Sequence, residues 1–135
     1  MMETRPVSSQ PRYRALVVED DPAIRRLVEK LLTRLRVEID TASDGRTAID
    51  KLRTQNYSVL VLDLMVPEVN GFEVIDFLKE AGMRAPVAVV SAVSQQALTR
   101  LDLDIVKLVI SKPFDVDEFS KSILALCAEG MEGHG

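Results

Sequence analysis

Hydrophobic positions along the chain follow two alternating patterns. Five short runs have continuous apolar, often β-branched residues, which is typical of buried parallel strands: Ala15–Val18, Val37–Thr41, Val59–Leu62, Val87–Val90 and Leu108–Ile110. Between and after these runs, apolar residues recur at helical spacing, which predicts amphipathic helices around Ile24–Leu35, Ala48–Leu52, Val74–Leu78 and Val116–Cys127. A less regular pattern predicts a further helix at Gln95–Asp104. The chain therefore reads as five strand–helix units.

Capping residues stand where these helices are expected to begin and end. Short polar side chains at an N-cap accept hydrogen bonds from the first free N–H groups, and glycine is typical just beyond a helix C-terminus. The predicted N-caps are Asp21, Asp44, Asn70 and Asp115, and Gly82 is predicted to end the third helix.

Polar residues follow four of the five predicted strands. A repeated strand–helix alternation predicts a parallel sheet with helices on both faces, whose ligands bind beyond the carboxyl ends of the strands. Glu19 and Asp20 follow the first strand, Asp63 the third, Ser91 the fourth and Lys112 the fifth. We therefore expect several carboxylates, one hydroxyl and one ammonium to meet at one edge of the sheet.

Such a cluster has a definite chemistry. Ionised carboxylates held close together repel one another, and a hard divalent cation such as Mg²⁺ relieves that repulsion. A phosphoryl donor can then approach, and Asp63 can attack phosphorus as a nucleophile to give an acyl phosphate. Lys112 is placed to stabilise charge on the phosphoryl oxygens, and Ser91 to donate a hydrogen bond to the new group.

Composition excludes several other classes of protein. The chain has 135 residues, a size that favours a single domain, and a net charge of −4, which argues against a generally basic nucleic-acid surface. Its single cysteine, Cys127, excludes an internal disulfide and a multi-cysteine metal site. Its single histidine, His134, lies next to the C-terminal residue, which argues against histidine-based catalysis.

The composition of the two ends and the strand–helix pattern between them predict the boundaries of the domain. Residues 1–12 are expected to form a flexible leader, residues 13–129 the domain, and residues 130–135 a flexible tail. The first twelve residues have no apolar stretch typical of a secretory signal, and no run is long enough to cross a bilayer. A cytoplasmic location is the resulting expectation.

Four motifs together resemble the receiver domain of two-component response regulators. They are Leu16–Pro22, Val61–Pro67 with Asn70 and Gly71 behind it, Ser91–Ala92, and Lys112–Phe114, all in that family's order. The resemblance covers roughly residues 13–128. It implies a flavodoxin-like (βα)5 fold, a doubly wound three-layer sandwich around a five-stranded parallel sheet of order 2-1-3-4-5.

The resemblance also implies a role for each site residue. Asp63 would be the phosphoacceptor, Ser91 and Lys112 would contact the phosphoryl group, and the Lys112–Pro113 bond would be cis. Mg²⁺ would be held by Glu19, Asp20, Asp63 and the backbone carbonyl of Met65.

The partners implied are a sensor histidine kinase or phosphotransfer protein and a downstream effector protein. The domain would contact neither nucleic acid nor a membrane directly, and would be a monomer or weak homodimer. It would not be an enzyme beyond assisting its own phosphorylation and dephosphorylation, and we expect a stand-alone receiver.

Two features depart from or refine this family pattern. Val109 occupies the position where the family commonly has Tyr or Phe, so the aromatic half of its usual switch is missing. Met65 and Val93 flank the site, and neither can position an attacking water, which predicts slow loss of the phosphoryl group. Two alternatives stay open at this point: a binding module that never uses phosphorylation, and the receiver fragment of a longer regulator with a DNA-binding output domain.

Overall fold

A computed structural model describes residues 13–92 and 94–132 of the chain. Five strands and five helices alternate along this part of the sequence. The strands are β1 (Arg14–Val18), β2 (Glu38–Ala42), β3 (Val59–Leu62), β4 (Val87–Ser91) and β5 (Val106–Ser111). The helices are α1 (Pro22–Arg34), α2 (Gly45–Thr54), α3 (Gly71–Ala81), α4 (Gln95–Leu98) and α5 (Val116–Glu132).

The strands form one parallel sheet in the order β2-β1-β3-β4-β5. This arrangement confirms the predicted flavodoxin-like fold. The chain passes from β1 outward to β2, and then returns to β3 on the other side of β1 before continuing to β4 and β5. The point where the winding direction reverses lies between β1 and β3, where ligands bind in open sheets of this kind.

Helices cover both faces of the sheet, which gives two apolar cores. On one face, Leu16 and Leu62 pack with the apolar sides of α2 and α3. On the other, Val17 and Val61 pack with the apolar sides of α1 and α5. Because the inner strands contact a core on each side, their apolar residues are continuous, as the sequence pattern predicted.

The predicted caps are present in the structure. The carboxylates of Asp21, Asp44 and Asp115 each accept a hydrogen bond from a backbone N–H of the helix that follows. Asn70 and Glu73 form a reciprocal capping box at the start of α3. Gly82 ends that helix in the left-handed conformation, with a φ of 68°.

Element boundaries agree with the prediction to within a residue or two at most strands, and they differ more at the fourth helix and the fifth strand. The helix predicted at Gln95–Asp104 ends at Leu98, because the following residues form turns instead. The Asp102 carboxylate accepts a hydrogen bond from the Asp104 N–H at 2.9 Å, a local bond that competes with continued helix. The fifth strand is longer than predicted, running from Val106 to Ser111.

The last helix runs to Glu132 and so includes the first three residues of the predicted tail. The predicted leader, residues 1–12, and residues 133–135 lie outside the described part of the chain. Within the described part, no helix is both long enough and apolar enough to span a membrane.

Candidate functional site

The carboxyl ends of four strands bring the predicted site residues together. Glu19 follows β1 and Asp63 follows β3, while Ser91 is the last residue of β4 and Lys112 follows β5. Backbone hydrogen bonds between neighbouring chain segments hold these positions. The Asp63 N–H donates to the Val18 carbonyl at 3.0 Å, and the Lys112 N–H donates to the Ser91 carbonyl at 3.1 Å. The site is therefore an extension of the sheet rather than a loop assembly.

Asp63 lies at the centre of the cluster and is buried. Its Oδ1 accepts hydrogen bonds from the Ser91 hydroxyl and from the Met65 N–H, each at 3.0 Å. Its Oδ2 accepts from the Lys112 Nζ at 3.0 Å. The same ammonium donates to Glu19 Oε1 at 2.8 Å, so that Lys112 bridges two carboxylates.

Burial and charge act on the three ionisable groups in different directions. Burial disfavours the ionised form of Glu19 and raises its pKa, more than the hydrogen bond from Lys112 lowers it. Burial also acts to raise the pKa of Asp63, but hydrogen bonds from Met65, Lys112 and Ser91 outweigh it and lower that pKa. The two carboxylates together raise the pKa of Lys112 against the opposing effect of burial. Asp63 is thus the more readily ionised of the two buried carboxylates.

Three carboxylates of the site are close enough to share a metal ion. One oxygen each from Glu19, Asp20 and Asp63 lies within 4.8 Å of the others. Glu19 and Asp63 are buried, whereas Asp20 is exposed at the mouth of the site. An all-oxygen donor set of this charge fits a hard divalent cation such as Mg²⁺.

Two hydrogen bonds that were not predicted from the sequence hold the loop after β1. Arg25, in the first half of α1, donates from Nη1 to the backbone carbonyl of Glu19 at 2.9 Å. Glu19 Oε2 accepts from the Asp21 N–H at 3.2 Å. In the sequence, only the position of Arg25 four residues after the N-cap could have pointed to its contact with Glu19. An arginine at that position of a helix is too common to predict which carbonyl it reaches.

Other expectations at the site have mixed outcomes. The Lys112–Pro113 bond is cis, as the resemblance implied. Met65 is 66% exposed at the rim of the site, and the metal-binding role of its carbonyl stays a prediction. Val109 lies on the edge strand and is partly exposed, paired in register with Val89. Val93, the second predicted flanking residue, lies outside the described residues.

The fold and this acidic site are those of a receiver domain, and comparison with known proteins gives the same family. Residues 15–124 match the response regulator receiver domain family. The chain belongs to that family.

Two curated relatives are transcriptional regulators. The chain is 34% identical over 131 residues to SphR, the alkaline phosphatase synthesis transcriptional regulatory protein of Synechococcus elongatus, covering 90% of this chain and 51% of that protein. It is 35% identical over 107 residues to the transcriptional regulatory protein DltR of Streptococcus agalactiae, covering 78% of this chain and 47% of that protein. The chain thus spans about half the length of these relatives.

A solved structure gives the same result for the fold. The response regulator TrrA of Thermotoga maritima, in complex with Mg²⁺ and BeF, superposes with a TM-score of 0.76 at 30% identity. The match covers 84% of this chain and 98% of that one.

Proposed function

We propose that Asp63 is the phosphoacceptor of this receiver domain and that Lys112 and Ser91 assist the transfer. One observation carries the proposal: a buried, ionised carboxylate receives three hydrogen bonds, from an ammonium, a hydroxyl and a backbone N–H. These hydrogen bonds keep Asp63 ionised and therefore nucleophilic, and they place the Lys112 ammonium and the Ser91 hydroxyl beside the carboxylate to which the negatively charged phosphoryl oxygens are added. Preorganised donors of this kind stabilise the transition state without further reorganisation.

The transfer is a displacement at phosphorus. An Asp63 oxygen forms a new O–P bond while the N–P bond of a phosphohistidine donor, or the O–P bond of a small acyl phosphate, breaks. The released imidazole takes up a proton from solvent, whereas a small acyl phosphate releases its carboxylate; in either case an acyl phosphate remains on Asp63. The Lys112 ammonium lies 3.0 Å from Asp63 Oδ2. It can therefore contact a phosphoryl oxygen on Asp63 with little movement.

Mg²⁺ is the cofactor that this donor set supports, with Glu19, Asp20 and Asp63 as side-chain ligands and the Met65 carbonyl as a further one. When bound, the ion supplies positive charge against the incoming phosphoryl oxygens. The similar structure of TrrA with Mg²⁺ and BeF supports this choice.

The partners follow from this chemistry. A sensor histidine kinase or phosphotransfer protein supplies the phosphoryl group, and an effector protein reads the surface that the added charge changes. The proposed domain spans residues 13–129, with α5 continuing to Glu132, and we expect it to act in the cytoplasm as a monomer or weak homodimer. It catalyses no reaction other than its own phosphorylation and dephosphorylation. The role of the whole protein, including any DNA-binding output, is a separate proposal supported by the regulator relatives.

Retention of the phosphoryl group is also part of the proposal. Met65 is exposed beside Asp63, and its apolar thioether cannot hold a water in line for attack on phosphorus. We therefore expect slow hydrolysis of the acyl phosphate.

Intact-mass measurement after incubation with acetyl phosphate and Mg²⁺ tests the proposal. Wild type should gain one phosphoryl group, Asp63→Asn should gain none, and Asp76→Asn, which removes an exposed acid from α3, should behave as wild type. Absence of uptake by wild type, with or without a cognate kinase, would favour the binding module that never uses phosphorylation.

A further inference from the structure

We propose that Met65 is an oxidative modification site, and that its conversion to the sulfoxide by hydrogen peroxide shortens the lifetime of the phosphoryl group on Asp63. The second half of this inference rests on the proposed function. Met65 adjoins the acidic site through its backbone, since its N–H donates to Asp63 Oδ1 at 3.0 Å, and its side chain is exposed.

The structure exposes this sulfur selectively. The two neighbours of Met65, Leu64 and Val66, are buried in the core, while Met65 itself is 66% exposed. The peptide group that joins Leu64 to Met65 is held at both of its polar atoms: the Met65 N–H donates to Asp63 Oδ1, and the Leu64 carbonyl accepts from the Gly71 N–H at 2.9 Å. The side chain is therefore directed out of the core by a fixed backbone.

The other sulfur atoms whose surroundings are described are less accessible. Met83 is partly buried and packs against the core beneath α3. Cys127 is buried on α5, and burial raises the pKa of its thiol to about 11, which leaves little reactive thiolate. Among these groups, Met65 is the most exposed to an oxidant in solution.

The reaction is balanced with peroxide alone. One peroxide oxygen bonds to the thioether sulfur, the O–O bond breaks, and the second oxygen leaves as water. The sulfur is oxidised by two electrons and the peroxide is reduced, giving methionine sulfoxide, which methionine sulfoxide reductases reverse.

Methionine sulfoxide differs from the thioether in its strength as a hydrogen-bond acceptor. A sulfoxide oxygen is a strong hydrogen-bond acceptor, whereas the thioether is a weak one. Two residues from the acyl phosphate, that oxygen can hold a water molecule where the thioether leaves an apolar rim. We therefore expect oxidation to accelerate hydrolysis of the phosphoryl group.

The experiment has two arms. In the first, the whole protein is treated with limiting hydrogen peroxide and the order of methionine oxidation is mapped by peptide mass spectrometry. Met65 is expected to be oxidised before Met83. Oxidation of Met83 first, or of neither before the protein unfolds, overturns the assignment of the site.

In the second arm, phosphorylated samples are compared before and after peroxide. Oxidised wild type should lose the phosphoryl group roughly threefold faster or more, and reductase treatment should restore the original lifetime. Met65→Leu should be insensitive to peroxide, while the matched variant Met83→Leu keeps the sensitivity. An unchanged lifetime in oxidised wild type, or equal acceleration in Met65→Leu, overturns the proposed consequence. A protein that takes up no phosphoryl group refutes the proposed function and the lifetime effect, but the first arm still decides whether Met65 is oxidised.

Discussion

At the residue scale, one ammonium offsets part of the negative charge of the site. Lys112 contacts Glu19 and Asp63, and all three side chains are largely removed from solvent. Removing one partner of a buried ion pair leaves uncompensated charge, which costs far more than the pair itself contributes. Lys112 therefore has a structural role in addition to its proposed contact with the phosphoryl group.

Lys112→Met tests that structural role. We expect the free energy of unfolding at neutral pH to fall by roughly 2 kcal/mol, less than the roughly 3–5 kcal/mol for fully enclosed pairs, because the Lys112 side chain keeps some contact with solvent. The penalty should shrink as the pH falls, because Glu19 has a raised pKa in the folded protein and becomes neutral on acidification. Urea denaturation between neutral and mildly acidic pH measures both effects.

Lys107→Met is the matched control for this prediction. Lys107 lies on β5, the strand that ends just before Lys112, but it is exposed, so its removal should change stability by less than about 0.5 kcal/mol at any pH. If the loss of stability in Lys112→Met stayed constant or grew on acidification, the charge left on Glu19 and Asp63 would not be its cause.

Sequence reasoning succeeded for the residues whose position at a strand end has a chemical reason. Glu19, Asp63 and Lys112 are polar residues directly after apolar strands, where an unsatisfied charge is costly. Arg25 could not be found in this way. Its contact is to a backbone carbonyl, and which loop carbonyl a helix arginine reaches depends on the packing of the helix, which no local pattern encodes.

At the element scale, α3 connects the site to the rest of the fold. Its first residue, Gly71, lies against the backbone of Asp63 and Leu64. A Cβ at that position would be 2.5 Å from the Leu64 Cα and 2.8 Å from the Asp63 carbonyl oxygen. At the other end of the helix, a Cβ on Gly82 would have open space around it.

These two glycines form a matched pair for mutation. Gly71→Ala should lower both stability and the rate of phosphorylation, because the clash is with backbone that can move only by displacing Asp63. Gly82→Ala should cost about 1–2 kcal/mol of stability, since its φ of 68° is unfavourable for alanine, and leave the rate of phosphorylation unchanged.

Thermal denaturation and the rate of uptake from acetyl phosphate check this pair of predictions. Equal rates in Gly71→Ala and wild type would show that the start of α3 does not position the phosphoacceptor.

The helix that sequence reasoning misjudged is α4. Its apolar residues continue at helical spacing beyond Leu98, but tertiary contacts hold the following segment in turns. Arg100 lies over the ring of Phe72, with 4.6 Å from Cζ to the ring centroid, and Lys79 pairs with Asp102 at 3.2 Å. Both contacts reach α3, which is distant in sequence, so a local pattern does not reveal them.

At the scale of the whole molecule, the parallel sheet converts residues far apart in sequence into one site. Lys112 and Glu19 are 93 positions apart and are joined by a hydrogen bond of 2.8 Å. The alternation of strands and helices was enough to predict the layers and the edge where the site lies. The strand order came from the resemblance to a family, because the apolar pattern of a strand does not specify its neighbours.

Binding of Mg²⁺ should stabilise the whole fold, because the three carboxylates are brought together only when the protein folds. At tenfold excess over Kd, we expect about 1.4 kcal/mol of added stability, seen as a rise in Tm. Asp20→Asn should lose most of this rise, while Asp50→Asn, at an exposed position on α2, should keep it.

The Mg²⁺ effect should also weaken as the pH falls. The pKa of Glu19 is raised, and a protonated carboxyl is a poor metal ligand, so affinity declines as the pH drops through that value. Thermal melts with and without Mg²⁺ at several pH values measure this dependence. A rise in Tm that is the same in wild type and Asp20→Asn would place the ion elsewhere.

The most direct test of the central claim is to locate the phosphoryl group on the chain. After incubation with acetyl phosphate and Mg²⁺, borohydride reduction converts a phosphorylated aspartate to homoserine, which peptide mass spectrometry identifies by position. We expect homoserine at position 63, and only when Mg²⁺ is present during the incubation. Homoserine at Asp20 or another acidic residue, or none under conditions where a known receiver is labelled, would contradict it.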